Sequence, residues 1–235
     1  MNNQPTTTAN KFHGVLFDLD GTLVDTADDF IYCLNRMRQQ EGLPPLAAQA
    51  IRTVVSDGAR AMITLAFKLQ EGDAGFAEKK QQFLQLYSQN LATASDLFAS
   101  LRELINWCQQ QNIPWGIVTN KPRQYSAPLL KALKLHEGIA TLVCADDVSH
   151  PKPDPEPMYK ACDEMALAAS DCLYVGDHAR DIQAGKNAGM HTIAAAYGYV
   201  HHASEARQWQ ADWTVTSSNA LSQQLKTLLH PKASH

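Results

Sequence analysis

The chain has 235 residues, of which 45% are hydrophobic and 19% are Asp, Glu, Lys or Arg, so it can bury a core without disulfide or metal staples. Its 20 basic and 24 acidic residues give a net charge of -4. With no basic tract and no apolar run near the ~18 residues of a membrane span, neither nucleic acid nor membrane is an expected partner.

Residues 1–10 are polar and Thr-rich, with no apolar segment of the signal-peptide kind, and read as a flexible tail. The five cysteines, Cys33, Cys108, Cys144, Cys162 and Cys172, form no CxxC pair and no zinc spacing. Reduced, buried thiols in a cytoplasmic protein are the expectation. Val15-Leu16-Phe17 predicts a short buried strand ending in Asp18-Leu19-Asp20-Gly21-Thr22. From Thr26 to about Ser100 the pattern is helical, with apolar stripes at Phe30, Leu34 and Met37, at Ala61, Leu65 and Leu69, and at Phe83, Leu86 and Tyr87. Gly42-Leu43-Pro44-Pro45 and Glu71-Gly72-Asp73 punctuate this block, and no strand is expected inside it.

Past Ser100 strands and helices alternate. The pattern predicts helices over 101–111, 125–135, 156–165, 181–188 and 219–229, and strands over 113–119, 139–144, 172–176, 191–195 and 213–215. Such alternation implies βαβ units and a mostly parallel, Rossmann-like sheet. The fold class is therefore α/β, with an all-helical cap inserted after the first strand. Residues 11–25 and 100–235 form a discontinuous core, and residues 26–99 form the insertion.

In an open parallel sheet, ligands bind beyond the carboxyl ends of the strands. The first predicted strand delivers Asp18 and Asp20, the second Thr119, Asn120 and Lys121, and the fourth Asp177 and then Asp181. The loop after the third carries Asp146, Asp147 and His150-Pro151-Lys152-Pro153-Asp154-Pro155. Taken singly, each has an ordinary explanation as a turn residue, a helix cap or a solvated lysine. Together they make chemical sense. Several carboxylates in one place repel one another, and a hard, oxygen-seeking cation such as Mg²⁺ removes that penalty. A lysine and a threonine hydroxyl suit phosphoryl oxygens. One carboxylate can attack phosphorus while its neighbour handles the leaving-group proton. The chemistry indicated is metal-assisted phosphoryl transfer through an aspartyl-phosphate.

Four segments then carry a family resemblance: Asp18-Leu19-Asp20-Gly21-Thr22-Leu23-Val24-Asp25-Thr26, Val118-Thr119-Asn120-Lys121-Pro122, Lys152-Pro153-Asp154-Pro155-Glu156-Pro157 and Gly176-Asp177-His178-Ala179-Arg180-Asp181. In this order they resemble the haloacid dehalogenase-like hydrolases. The resemblance implies that Asp18 is the nucleophile and Asp20 the general acid and base. It implies Mg²⁺ held by Asp18, the Asp20 backbone carbonyl and Asp177, with Asp181 supporting the metal's water shell. It gives Thr119 and Lys152 the phosphoryl oxygens, with help from Asn120, and makes the helical insertion a mobile cap hinged at 22–26 and 93–98. An aspartate at position 20 resembles the superfamily's phosphatases rather than its dehalogenases, while a sugar phosphomutase or a phospho-ligand-binding protein remains an alternative.

Asn120-Lys121-Pro122, the proline-rich third segment and Ala195-Ala196-Tyr197-Gly198-Tyr199 are similar to the phosphoglycolate phosphatase-like branch. Within it, the stretch from Ile51 to Met62 resembles the N-acetylmuramic acid 6-phosphate phosphatases of peptidoglycan recycling. Both substrate classes are small phosphorylated metabolites carrying a carboxylate, for which Arg60 and Arg52 are candidate partners, since a guanidinium grips a carboxylate bidentately. Lys121 is a further candidate facing the cap. His178 reads as a bystander, and Tyr197 and Tyr199 as packing residues. Monomer and homodimer are both compatible with the sequence.

Overall fold

The computed structural model describes residues 12–230, and the polar tail 1–10 lies outside the described residues. Strand β1 (Gly14–Phe17) is apolar and buried on both faces, as a central strand of a parallel sheet must be. The chain then leaves the sheet through β2 (Val24–Asp25) into helices α1 (Ala27–Gln40), α2 (Ala48–Arg52), α3 (Gly58–Phe67) and α4 (Phe76–Gln89). It returns through β3 (Asp96–Leu97), which pairs antiparallel with β2. Next come α5 (Leu101–Gln110), β4 (Trp115–Val118), α6 (Arg123–Ala132), β5 (Thr141–Val143) and α7 (Glu156–Met165). The chain ends with β6 (Cys172–Gly176), α8 (Ala179–Asn187), β7 (His191–Ala195), the short α9 (Ala203–Ala206), β8 (Trp213–Val215) and α10 (Ser218–Leu228).

The six-stranded sheet has the order β5-β4-β1-β6-β7-β8, and every neighbouring pair is parallel. Order reverses at β1, which lies between β4 and β6, so the crevice of a doubly wound sheet opens at the ends of these three strands. One face of the sheet packs Phe17, Ile117 and Val175 against Leu104, Cys108, Leu221 and Leu225 of α5 and α10. The other packs Leu16, Val118 and Tyr174 against Met158, Ala161 and Ala184 of α7 and α8. All five cysteines are free and buried. No helix among the described residues is long and apolar enough to cross a membrane.

The inserted helices have their own apolar centre, built on Phe30, Leu34, Ile51, Met62, Phe83 and Tyr87 and joined by Tyr125 and Tyr199 from outside the insertion. Two acids in the first turn of α1, Asp28 and Asp29, and Arg38 in its last turn complement the helix dipole. The stripe expected at Ala61, Leu65 and Leu69 is displaced: Met62, Ile63 and Ala66 are the buried residues of α3. That helix, GARAMITLAF, is apolar on most sides, so period alone cannot choose its face. The strand β3 also falls where no strand was expected, because two residues carry no alternation to read.

Candidate active site

The site residues stand at strand ends or in the segments that follow them, with Lys152 on the long loop between β5 and α7. The ladder of β1 continues into Asp18, whose N–H donates to the Val175 carbonyl at 2.8 Å, and that of β4 into Thr119, whose N–H donates to Val143 at 2.9 Å. Asp177 directly follows β6, and Asp181 lies in the first turn of α8, where its carboxylate accepts from the His178 N–H at 3.0 Å. Gly21 turns the chain back with φ +82°. A Cβ there would stand 2.2 Å from Asp177 Oδ2, so the close approach of the first loop to Asp177 requires glycine.

Carboxylate oxygens of Asp18, Asp177 and Asp181 all lie within 4.8 Å of one another, and all three residues are buried. Burial, then the charges of Asp18 and Asp181, push Asp177 well above the ordinary carboxylate range. Burial likewise raises Asp181, against the pull of Lys152. Lys152 is the counter-charge. Its Nζ donates to Asp18 Oδ1 at 2.8 Å, to the Val118 carbonyl at 2.9 Å and to the Tyr174 hydroxyl at 2.8 Å, and lies 2.8 Å from Asp181 Oδ1. Burial works against the ammonium, but Asp18 and Asp181 outweigh it and hold Lys152 above its usual value. One lysine against three gathered carboxylates leaves an excess of negative charge on hard oxygen donors. That donor set fits a divalent cation of the Mg²⁺ kind.

Asn120 braces Lys152 from behind: its amide donates to the Lys152 carbonyl at 2.9 Å and accepts from the Lys152 N–H at 3.1 Å. Asp20 uses one oxygen for structure. Oδ1 accepts from Thr26 Oγ1 at 2.6 Å and from Lys121 Nζ at 2.8 Å, and Lys121 also donates to the Tyr87 hydroxyl at 2.8 Å. Lys121 is nearly as buried as Lys152; burial opposes its charge, and Asp20 and Tyr87 more than compensate.

These groups open into a cavity of about 460 Å³ between sheet and insertion. Asp18, Asp20, Thr119, Asn120, Lys121 and Lys152 line it, and so does Arg60, which is exposed and 3.3 Å from Glu71. Arg52 is placed otherwise. It pairs with Asp25 at 2.6 Å and Asp28 at 3.7 Å, lies over the Tyr199 ring and is not among the lining residues, because the acids flanking Thr26 capture it first.

Four partners went unread in the sequence. Tyr174 and Tyr87 look like a strand former and a helix-stripe residue, and nothing in the pattern reveals that their hydroxyls meet Lys152 and Lys121. Ser56 of the insertion donates to Asp177 Oδ2 at 3.1 Å, and Arg180 donates to the Ser56 carbonyl. The Ser56-Asp57-Gly58 loop within the stretch of Ile51 to Met62 was the available signal. His178 is more than a bystander: it caps α8 and stands 3.4 Å from Asp57 of the insertion, holding that carboxyl below its ordinary value. Tyr199 packs as expected, yet its hydroxyl also donates to Asp25 at 2.8 Å and accepts from the Thr26 and Ala27 N–H groups.

Comparison with known proteins agrees with this geometry. Residues 15–195 match the haloacid dehalogenase-like hydrolase family. An N-acetylmuramic acid 6-phosphate phosphatase of Pseudomonas putida is 42% identical over 205 residues, spanning 87% of this chain and 92% of that one. A phosphoglycolate phosphatase of Xanthomonas campestris is 39% identical over 198 residues, spanning 84% and 89%. A crystal structure from Haemophilus somnus, described as a predicted phosphoglycolate phosphatase, superposes with a TM-score of 0.78 at 27% identity, covering 91% of this chain and 98% of that one. With a buried acid cluster at the ends of β1 and β6, two central parallel strands, and relatives matched over nearly their full length, this chain belongs to the haloacid dehalogenase-like hydrolases and is a phosphatase of the phosphoglycolate phosphatase-like branch.

Proposed function

We propose that the protein is a Mg²⁺-dependent phosphomonoesterase that works through an aspartyl-phosphate on Asp18, with N-acetylmuramic acid 6-phosphate as its substrate. The observation that carries the reaction is the meeting of Asp18, Asp177 and Asp181 around Lys152. Asp18, Asp177 and the Asp20 carbonyl would hold Mg²⁺, with Asp181 behind its water shell. When bound, the cation supplies positive charge to the phosphoryl oxygens and lets the carboxylates remain ionised together.

Lys152 and Thr119 hold the phosphoryl group in line with Asp18, and Asn120 fixes Lys152 by both of its backbone groups. An Asp18 carboxylate oxygen bonds to phosphorus as the ester P–O bond breaks, and Asp20 gives its proton to the departing alkoxide. Asp20 then takes a proton from water, whose oxygen attacks phosphorus and breaks the bond to Asp18, releasing phosphate. Thr26 and Lys121 both occupy Asp20 Oδ1. Oδ2 is thereby left for the proton, and the carboxyl cannot swing away. The helices of residues 26–99 act as a cap that excludes bulk water from the acyl-phosphate until Asp20 is ready.

The substrate choice is supported by the 42% identical relative and by the size of the cavity, which offers more room than a two-carbon acid needs. A sugar acid phosphate released during peptidoglycan recovery would place the enzyme in the cytoplasm. The Xanthomonas relative favours 2-phosphoglycolate as the second reading. Phosphate release from both compounds at low concentration, with Mg²⁺ and with chelator, tests the proposal. The expected result is metal-dependent release with preference for the sugar acid, and no measurable turnover by Asp18→Asn. Release indifferent to metal, or an active Asp18→Asn, would overturn the mechanism, whereas preference for 2-phosphoglycolate would overturn the substrate.

A further inference from the structure

Several cationic side chains line the cavity, and most are already engaged. Lys152 is held by Asp18 and Asp181, Lys121 by Asp20, Arg60 by Glu71, and His178 and Arg180 by Asp57. Lys80 is the exception. It lines the same cavity, is half-buried, and has no carboxylate within ion-pair distance among the described residues. Its own helix cannot supply one. The residues at three and four positions to either side, Phe76, Ala77, Phe83 and Leu84, are all apolar, whereas the adjacent Lys79 turns to Glu41 at 2.5 Å.

Position along α4 gives this cation its meaning. Lys80, Phe83, Leu84 and Tyr87 all line the cavity from one face of the helix. Tyr87 marks the reacting end, because its hydroxyl is held by Lys121, which holds Asp20. Lys80 stands two turns earlier, ~10 Å along the axis. Between these two points the helix presents Phe83 and Leu84, and Met62 and Val55 add apolar surface to the same cavity.

We propose that Lys80 is a carboxylate-binding subsite at the end of the cavity remote from Asp18, selecting phosphomonoesters whose acid group is separated from the phosphate by an apolar body the size of a sugar ring. The proposal rests on the phosphatase reading above and deepens its substrate class. In a two-carbon acid phosphate the two anionic groups are only ~4 Å apart by ordinary bond lengths, too close to engage Lys152 and Lys80 together. A hexosamine phosphate bearing a lactyl ether reaches much further. Desolvation by the apolar wall strengthens an ammonium–carboxylate contact relative to one made in open water.

The test compares kcat and KM of the wild type, Lys80→Met and Lys80→Arg on N-acetylmuramic acid 6-phosphate and N-acetylglucosamine 6-phosphate. The latter has the same ring and phosphate without the lactyl carboxylate. Lys80→Met is expected to raise KM for the acid sugar about 10-fold or more with kcat nearly kept, as loss of a charge-assisted bond requires. The neutral sugar should change little, and Lys80→Arg should restore most of the loss. Equal effects on both sugars, or none on either, would overturn the subsite while leaving the phosphatase reading intact. Hydrolysis of 2-phosphoglycolate with neither sugar turned over would overturn the substrate reading, and the subsite with it.

Discussion

Gly21 sits where a side chain has no room. An added methyl would lie 2.2 Å from Asp177 Oδ2 and 2.7 Å from the Tyr199 ring, at a φ of +82° that already disfavours any Cβ. Gly21→Ala is therefore expected to push Asp177 out of register with Asp18. A displacement of this order in a reacting site costs about 10²-fold in kcat, measurable as the rate at saturating substrate beside a melting curve that shows the fold retained. A rate within a factor of about two of wild type would mean that the loop yields instead. At this scale the sequence was most legible for residues whose chemistry is scarce after a strand: Asp18, Asp20, Asp177, Asp181 and Lys152. It was least legible for hydroxyls on residues that also serve as packing. Tyr174 reads as a strand former whichever group its oxygen meets, and only the buried Lys152 ammonium gives that oxygen a purpose.

Between the sheet and the inserted helices the chain crosses twice, at β2 and β3. Their pairing sets Asp25 opposite Asp96, a like-charge placement relieved because Arg52 takes the first and Arg102 the second, at 2.6 and 3.1 Å. A second clasp lies deeper. Asp29 in the first turn of α1 is buried and accepts from the Ala94 N–H at 2.7 Å and from the Ser95 hydroxyl, fastening the returning segment to the outgoing one. Asp29→Ala would leave the Ala94 donor unpaired, at a cost of about 1–3 kcal/mol. Thermal melting should report that loss as a lower midpoint, and an unchanged midpoint would mean that water replaces the carboxylate. Long, strongly periodic elements such as α1 and α10 were readable from apolar spacing. The face of α3 was not, because its apolar residues surround the helix, and β3 was not, because two residues are too few to alternate.

The whole molecule is a parallel sheet covered on both faces, with a third apolar centre in the insertion that borrows Tyr125 and Tyr199 from outside it. The alternation of strands and helices past Ser100 made the sheet legible, and the long helical interruption made the insertion legible. How the insertion seats on the sheet was not, since Ser56 on Asp177 and Asp57 beside His178 are contacts between segments more than 100 positions apart in the chain. Arg52 illustrates the same limit: its charge was plain, but Asp25 as its destination depended on the pairing of β2. Sequence pattern reports what a residue can do, and tertiary placement decides which of its partners arrives first.

Tyr199 carries that placement one step further. Its N–H donates to Asp177 Oδ2 at 2.8 Å, while its hydroxyl gathers Asp25, Thr26 and Ala27 at the first crossing. One residue thus touches both a carboxylate suited to the cation and the segment by which the chain enters the insertion. Thermodynamic reciprocity follows: whatever factor the bound ion contributes to the position of that crossing, the crossing must return to the affinity for the ion. Tyr199→Phe keeps the backbone contact and removes the hydroxyl, so it should raise the Mg²⁺ concentration needed for half-maximal rate by about 5-fold or more. A titration at saturating substrate checks this, and an unmoved midpoint would show that ion and crossing are independent. If they are coupled, the Mg²⁺ concentration sets the position of the inserted helices as well as the rate of turnover.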